Sequence, residues 1–328
     1  MRIGKLSQEE LNKNIFSVIG SRRREVVDGC THSGDCSLLD FNGLKMLVST
    51  NAVAVVGDSE GYRAVVSTAN GIASSGGYPV SANITLLLPT SATMDTVKKI
   101  MTSAEEGAKA CNTEITGGHT EFTPSVTDPV ITCTVVGVLS DDTRESVSLR
   151  AGNSIILTKF AGISGTQILS ERYREDLSSI DEETVLDALN FKNDTSILKE
   201  CACLVGADVS MLVNASTGGV LGSILDVCSK SGLGAEIDGD RIPVHYVTKK
   251  VCGVLGVDPL KLHAGGSLII TTNKPSAILT ILKKRGITCT EIGVITKEKG
   301  VTVKRGDKTE KLESVRDEIT RLWEDRNV

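Results

Sequence analysis

Four polar segments separate the apolar stretches of this sequence, and they hold the residues best suited to chemistry. Asp35 follows a glycine, Asn51 ends a predicted strand, residues 117–121 read Gly-Gly-His-Thr-Glu between two predicted strands, and residues 214–219 read Asn-Ala-Ser-Thr-Gly-Gly before a predicted helix. Backbone amides of glycine-rich turns bind phosphate, and carboxylates at strand ends hold Mg²⁺ that bridges to phosphate oxygens. The pattern therefore predicts phosphate binding, with Asp35 and Glu121 as candidate metal ligands.

The same side chains also have plain structural explanations. Asp35, Glu121 and His119 are the candidate catalytic residues, yet an aspartate beside a glycine is a common turn former, and a histidine between strands often has only a structural role. Residues 217–219 fit a helix N-cap as well as an anion-binding turn. Neither the Walker A motif nor GxGxxG is present. Bound phosphate would be lined by backbone amides of Gly117, Gly118, Thr120, Thr217, Gly218 and Gly219.

The order of predicted elements indicates a mixed α/β protein with two domains. Residues 67–79 combine small helix-compatible residues with a Gly-Gly-Tyr-Pro turn, and the apolar residues 84–88 follow as a buried strand. Strands and helices alternate up to the charged residues 141–146, which we take as the domain boundary. The tail, residues 308–328, is predicted to form one amphipathic helix. The expected division is an N-terminal arm over residues 1–30, one domain over 31–145 and a second over 146–328.

Composition narrows the class of protein. The net charge of −5 argues weakly against a nucleic-acid binder, which usually carries a basic patch. The sequence contains no run of about 18 apolar residues, so we expect no membrane span, and the N-terminus lacks the apolar core of a signal peptide. Nine scattered cysteines are expected to be free thiols in a reducing cytoplasm rather than ligands of a structural metal.

Taken together, five segments resemble a known superfamily. They are Gly162-Ile-Ser-Gly-Thr166, the segments at 117–121 and 214–219, Arg241-Ile-Pro243, and Leu255-Gly-Val-Asp-Pro-Leu260. In order and spacing they are similar to the aminoimidazole ribonucleotide synthetase-like (PurM-like) ATP-binding superfamily over roughly residues 30–300, and most similar to its HypE hydrogenase-maturation branch. The resemblance implies a PurM-like fold of the α+β sandwich type, a homodimer formed through the N-terminal sheet, and ATP with Mg²⁺ in the cleft between domains. It also implies phosphoryl transfer onto an amide-like oxygen and another maturation protein as a partner.

The sequence departs from that superfamily where the superfamily has carboxylates. The pattern expects Asp at Asn51, Gly71 and Asn214, and Glu at Gly265. Each replacement removes an oxygen ligand for a hard cation, so Mg²⁺ is expected to be weakly held, if it is held at all. Asn51, Asn214 and Asn70, which precedes Gly71 in the helix motif, are then expected to contact the nucleotide as neutral groups.

Three functions remain open at this point. The first is a HypE-like enzyme that binds ATP and transfers its phosphoryl group with altered metal ligation. The second is a degenerate member that binds a ligand or a partner protein without turnover, which the lost carboxylates favour. The third is a small-molecule kinase of the thiamine-monophosphate kinase type. The printed sequence ends without a cysteine, so the self-carbamoylation chemistry of HypE has no obvious acceptor.

Overall fold

The computed structural model describes residues 4–6, 8–29, 36–54, 57–139 and 149–326. Two predictions fall outside these residues: the role of Asp35 and the charged boundary at 141–146. Within the described residues, no helix is long and apolar enough to cross a membrane. All eight described cysteines are free, as the sequence predicts.

The N-terminal domain is a six-stranded sheet with two helices on one face. The strands are β1 (Val26–Asp28), β2 (Ser37–Phe41), β3 (Leu44–Ala54), β4 (Gly77–Leu88), β5 (Glu114–Phe122) and β6 (Val130–Leu139), and the helices are α1 (Gln8–Asn14) in the arm, α2 (Glu60–Ser74) and α3 (Met94–Ala110). The strand order is β1-β2-β3-β6-β4-β5, and only the β4–β5 pair is parallel. The two helices pack closely because Gly61 has no side chain: a Cβ there would lie 2.1 Å from the Ile100 carbonyl oxygen.

The two faces of this sheet differ in character. Alternate strand residues such as Leu47, Ile84 and Ile131 form one apolar core with α2 and α3. The opposite face carries threonines and valines, and its Phe41 and Leu44 are exposed. We call this second surface the open face.

The C-terminal domain is a seven-stranded sheet with helices around it. The strands are β7 (Ser154–Thr158), β8 (Met211–Asn214), β9 (Gly234–Asp238), β10 (Leu268–Thr272), β11 (Cys289–Thr296), β12 (Gly300–Arg305) and β13 (Lys308–Leu312). The helices are α4 (Ile163–Arg172), α5 (Glu182–Asn190), α6 (Leu198–Cys203), α7 (Gly219–Ser231), α8 (Tyr246–Leu255), α9 (Pro275–Lys284) and α10 (Glu318–Arg326). The order is β13-β12-β9-β11-β7-β10-β8, and only β9–β12 is parallel. This architecture confirms the predicted two-domain α/β fold of the α+β type.

Three local predictions were wrong. Residues 117–121 are not a turn, because they lie within strand β5, which pairs with β4 through residue 122. Asn51 does not end its strand, because β3 continues to Ala54. The tail is not one helix: residues 308–312 form β13 through pairing with β12, and only Glu318–Arg326 is helical. In each case a neighbouring strand supplies backbone hydrogen bonds that residue type alone does not reveal.

Helix α2 joins the two domains. Its last turns contribute Ala73 to an apolar cluster of the C-terminal domain that includes Ile156 and Leu268. The helix also contacts α6 and β8 of that domain. The residues along α2 therefore line the junction where a cleft between domains would lie.

Candidate functional site

Asn51 faces helix α2 at this junction. Its Nδ2 donates a hydrogen bond to the Ser67 hydroxyl at 2.9 Å, and the pair is partly buried. The neutral amide is thus held in place by α2 and adds no negative charge to the junction.

Asn70 fastens the domains together. Its side chain is 1% exposed, its Nδ2 donates to the Thr195 carbonyl at 2.8 Å, and its Oδ1 accepts from the Ile197 amide at 3.0 Å. Both polar atoms of the amide are engaged by backbone more than 120 residues away in sequence. A nucleotide contact at Asn70 stays a prediction, and it would require this link to open.

The turn from β8 to α7 holds the second predicted phosphate segment. Asn214 is the last residue of β8, and its Oδ1 is buried without a hydrogen-bond partner among the described residues. Gly218 and Gly219 have φ of +80° and +67°, and a Cβ on Gly219 would lie 2.5 Å from the Leu260 carbonyl oxygen. Only glycine fits both positions well, which explains the Gly-Gly pair without reference to a ligand.

A carboxylate of the protein itself occupies this turn. Asp317 Oδ2 accepts a hydrogen bond from the Gly218 amide at 2.7 Å, and Oδ1 accepts from the Ile319 amide at 2.9 Å. Asp317 is 5% exposed, and burial raises its pKa to about 6 against the lowering effect of these two amides. In this conformation the Gly218 amide is unavailable to phosphate, in contrast to the role expected for it.

His119 and Glu121 lie elsewhere. On edge strand β5 their side chains pair with each other, with His119 Nε2 2.9 Å from Glu121 Oε2, and both are well exposed. In register they align with Thr85 and Leu87 of β4, on the open face, whereas Asn51 faces α2 on the other side of the sheet. A single chain therefore does not bring these two residues together with Asn51.

The glycines and threonine beside them serve the strand. A Cβ on Gly118 would lie 1.8 Å from the Ile84 carbonyl oxygen, so glycine is needed where β5 meets β4. Gly117 and Thr120 pair with Asn83 and with residue 86 of β4. These residues take part in the pairing of β5 with β4, and phosphate contacts at Gly117, Gly118 and Thr120 stay predictions.

Sequence reasoning missed a buried polar cluster where the start of α2 meets α4. It comprises Ser59, Glu60 and Arg63 from the N-terminal domain and Gln167 and Glu171 from the C-terminal domain. Arg63 forms an ion pair with Glu60 at 3.3 Å, and the Ser59 hydroxyl donates to Glu171 Oε1 at 2.5 Å. The spacing of 60 with 63 and of 167 with 171 was a visible signal, because residues three or four apart share one helix face.

A serine–histidine pair lies at the start of α4. Ser164 Oγ is 2.6 Å from His263 Nδ1, and Ser164 is 2% exposed. Burial lowers the pKa of His263 to about 3, aided by the positive charges of Arg63 and Lys5, so this imidazole is neutral. A Cβ on Gly265 would lie 3.0 Å from Ser164 Oγ, so a larger residue at 265 would meet this pair.

The donor set does not resemble a carboxylate cage for a metal. Across the described residues, no group of three or more His, Cys, Asp or Glu side chains is placed to hold an ion. Asn51 and Asn214 present amides, which are weaker ligands for Mg²⁺ than carboxylates. The arrangement suits hydrogen bonding to an anion better than protein-held Mg²⁺.

Comparison with known families agrees with this fold. The family model of the AIR synthase related protein N-terminal domain matches residues 33–139, and that of the C-terminal domain matches residues 150–306. A putative hydrogenase expression/formation protein of Methanocaldococcus jannaschii is 27% identical over 256 residues, which is 75% of this chain and 73% of the relative. The carbamoyl dehydratase HypE of Escherichia coli is 27% identical over 279 residues, 81% of each chain.

Two solved structures share the fold. The hydrogenase maturation protein HypE in complex with ATP superposes with a TM-score of 0.72 at 20% identity, covering 98% of both chains. The HypE–HypF complex gives a TM-score of 0.71 at 21% identity, covering 86% of this chain and 93% of the other. These likenesses confirm the PurM-like architecture predicted from the five segments.

Proposed function

Because the chain belongs to the AIR synthase related protein family, we propose that it is a HypE-like protein that binds ATP at the junction between its two domains. Similarity to the carbamoyl dehydratase HypE of Escherichia coli along four-fifths of the chain supports this, as does the fold shared with a HypE structure that contains ATP. The observation that carries the proposal is the Asn214 side chain at the end of β8, a strand that contacts helix α2. Its buried Oδ1 has no partner in the described part of the chain and can accept a hydrogen bond from an N–H or O–H group of a nucleotide.

The neutral amides favour a direct contact with phosphate. An aspartate beside a phosphate repels it unless a cation stands between them, whereas an asparagine can donate an N–H to a phosphate oxygen. Mg²⁺ would then travel with the nucleotide and be weakly held by the protein. Asn51 and Asn214 are the residues we assign to this contact, and phosphoryl transfer onto an amide-like oxygen would be the reaction of an active form.

Binding without turnover is the second candidate. Phosphoryl transfer depends on metal ions that neutralise the charge developing on the phosphate oxygens. The described residues offer no three-ligand group to hold such an ion, which favours a binding role. Both candidate functions require a nucleotide site, and they differ in whether the protein releases phosphate from bound ATP.

Calorimetric titration with ATP, in Mg²⁺ and separately in EDTA, tests the proposal together with an assay for released phosphate. Binding with phosphate release supports the enzyme, and binding without release supports the second candidate. Absence of binding in both solutions would refute the proposed function. The Asn214→Asp variant should gain Mg²⁺ dependence, because its carboxylate needs a cation before it can face phosphate. The Asn273→Asp change on the surface is the matched control.

A homodimer formed through the open face is the proposed assembly. Thr50 and Thr134 pair across β3 and β6 at 2.9 Å near the middle of this face, and the exposed Phe41, Leu44 and Tyr78 lie toward one end. Exposed apolar side chains on an otherwise β-branched sheet are typical of an interface. Thr134→Arg should convert the dimer to a monomer in light scattering, and a wild-type monomer at micromolar concentration would contradict the assembly.

The relatives extend the proposal to a partner and a compartment. Since a HypE structure contains HypF, we propose another maturation protein as a partner of this chain. Free thiols at all eight described cysteines fit a cytoplasmic location, where disulfides are rare. Co-purification of the tagged chain from its own cells would test the partner.

A further inference from the structure

We infer that the polar cluster between α2 and α4 is a binding site for a phosphate oxyanion that requires no metal ion. Arg63, Gln167 and Glu171 converge there from both domains. The inference rests on the proposed nucleotide binding and extends it, because it assigns the binding of phosphate to the guanidinium group of Arg63 instead of a metal ion.

Arg63 is the centre of the site. Its side chain is 13% exposed, and Nη2 forms the ion pair with Glu60, whose side chain is 1% exposed. Nη1 is buried and has no hydrogen-bond partner among the described residues. A buried guanidinium N–H without an acceptor is unfavourable, so an oxygen atom is expected beside it. Guanidinium groups match phosphate oxygens in shape and charge.

Glu171 supplies a second hydrogen-bonding group. Ser59 donates to its Oε1, whereas its Oε2 is buried and unpartnered in the described part of the chain. Burial raises the pKa of Glu171, which favours its acid form. A protonated Oε2 is a donor, and it needs the same kind of acceptor as Arg63 Nη1.

Gly57 and Gln167 lie beside the Glu171 carboxyl group. A Cβ on Gly57 would lie 2.6 Å from Glu171 Oε2, so a side chain at residue 57 would force the Glu171 carboxyl group to shift. Gln167 is 1% exposed and lies one turn before Glu171 on α4. Its Nε2 approaches Glu171 without making a hydrogen bond of full geometry, so it is a third buried donor.

The charges around the cluster select an anion. Arg63 and Lys5 are the cations whose field reaches His263, which is neutral, and Glu60 and Glu171 are the acidic groups. Once Glu171 takes up a proton on binding, one positive charge of the cluster remains uncompensated. A metal cation would be repelled by the positive charge of Arg63. A phosphate oxygen would instead accept hydrogen bonds from Arg63, Gln167 and the protonated Glu171.

The closing experiment is calorimetric titration with tripolyphosphate, inorganic phosphate and ATP, all in EDTA. Wild-type protein should bind tripolyphosphate without metal, and Arg63→Met should weaken binding at least tenfold, the usual effect of losing a charge-assisted hydrogen bond. Arg63→Lys should recover part of the affinity. Arg305→Met is the matched control, because Arg305 also forms an ion pair and has an unpartnered nitrogen but lies on β12. Binding should take up a proton at Glu171, seen as a heat that changes with the buffer.

Folding must be separated from binding, because Arg63→Met removes the ion pair of the buried Glu60. The double variant Glu60→Gln with Arg63→Met removes both charges, and it should fold yet fail to bind. Tight tripolyphosphate binding by this folded double variant would overturn the inference. So would ATP binding that needs Mg²⁺ and is unchanged in Arg63→Met, although the proposed function would then stand. If the protein binds phosphate and tripolyphosphate but not ATP, the phosphate site is supported and the proposed function of ATP binding is refuted.

Discussion

Replacement of Asp317 by asparagine should remove a pH-dependent destabilisation of the fold. Asp317 accepts hydrogen bonds from two backbone amides, one at the start of α7 and one in α10, while burial holds its pKa at about 6 instead of 3.8. Asparagine keeps one acceptor oxygen and cannot ionise. The change therefore separates the geometry of the carboxyl group from its charge.

The sign and size follow from proton linkage. Between pH 3.8 and about 6 the folded chain holds the proton that the unfolded chain releases, so the folded state binds more protons and stability falls as pH rises. Below this window the effect is absent, and above it the loss levels off at about 3 kcal/mol. Between pH 5 and pH 7.5 the change is about 1.4 kcal/mol. This behaviour is opposite to that of a carboxylate stabilised by an ion pair.

Urea unfolding at pH 5 and at pH 7.5 measures this effect. The free energy of unfolding of wild type, relative to Asp317→Asn, should fall by about 1.4 kcal/mol between the two pH values. Asp325→Asn removes an exposed carboxylate from the adjoining helix α10, and its difference from wild type should be equal at both pH values. A difference for Asp317→Asn that stays constant, or that grows in favour of wild type as pH rises, would refute the reasoning.

Two further changes test buried polar contacts, the first within the C-terminal domain and the second between the domains. Lys159→Met removes an ammonium that contacts three backbone carbonyls at 2.6–3.0 Å and Glu200 at 2.8 Å, so it should lower the free energy of unfolding by about 3–5 kcal/mol. Lys274→Met at an exposed ion pair should lower it by less than about 1 kcal/mol, and equal losses would contradict this account. Asn70→Leu leaves two backbone groups without their side-chain partner, so it should lower the free energy of unfolding in urea by about 2–4 kcal/mol. The control is Asn273→Leu on the surface. A loss no larger than that of the control would show that the link between the domains is weak.

Much of the fold could be predicted because local sequence signals and tertiary structure agree. The small residues of α2 are buried in a helix, as predicted. Of the predicted Gly-Gly-Tyr-Pro turn only Gly76 precedes the strand, and Gly77 to Pro79 already belong to β4. The failures at residues 117–121 and 308–312 share one cause. Both segments are polar or glycine-rich, and each becomes a strand only because a partner strand supplies its hydrogen bonds.

The site was harder to predict than the fold, because its contacts join distant parts of the sequence. Ser59 meets Glu171 across 112 residues, and Gly218 meets Asp317 across 99. Neither pair belongs to a short motif: spacing within a helix can show that two polar residues share one face, but not which distant residue that face will meet. The sequence offered residues 217–219 as a helix N-cap or an anion-binding turn, and Gly218 is the N-cap of α7, but the sequence did not reveal that Asp317 would accept the hydrogen bond of its amide.

The polarity of the junction argues for direct recognition of phosphate. At 51 and 214, where the resemblance expects carboxylates, the chain has amides. Two buried carboxyl groups accept hydrogen bonds from the protein's own donors: Asp317 from backbone amides, and Oε1 of Glu171 from Ser59. What is left unpaired at the junction includes a guanidinium nitrogen of Arg63. A site with amides and a guanidinium binds an anion without a bridging cation, and returning one carboxylate should therefore impair phosphate binding until Mg²⁺ is supplied.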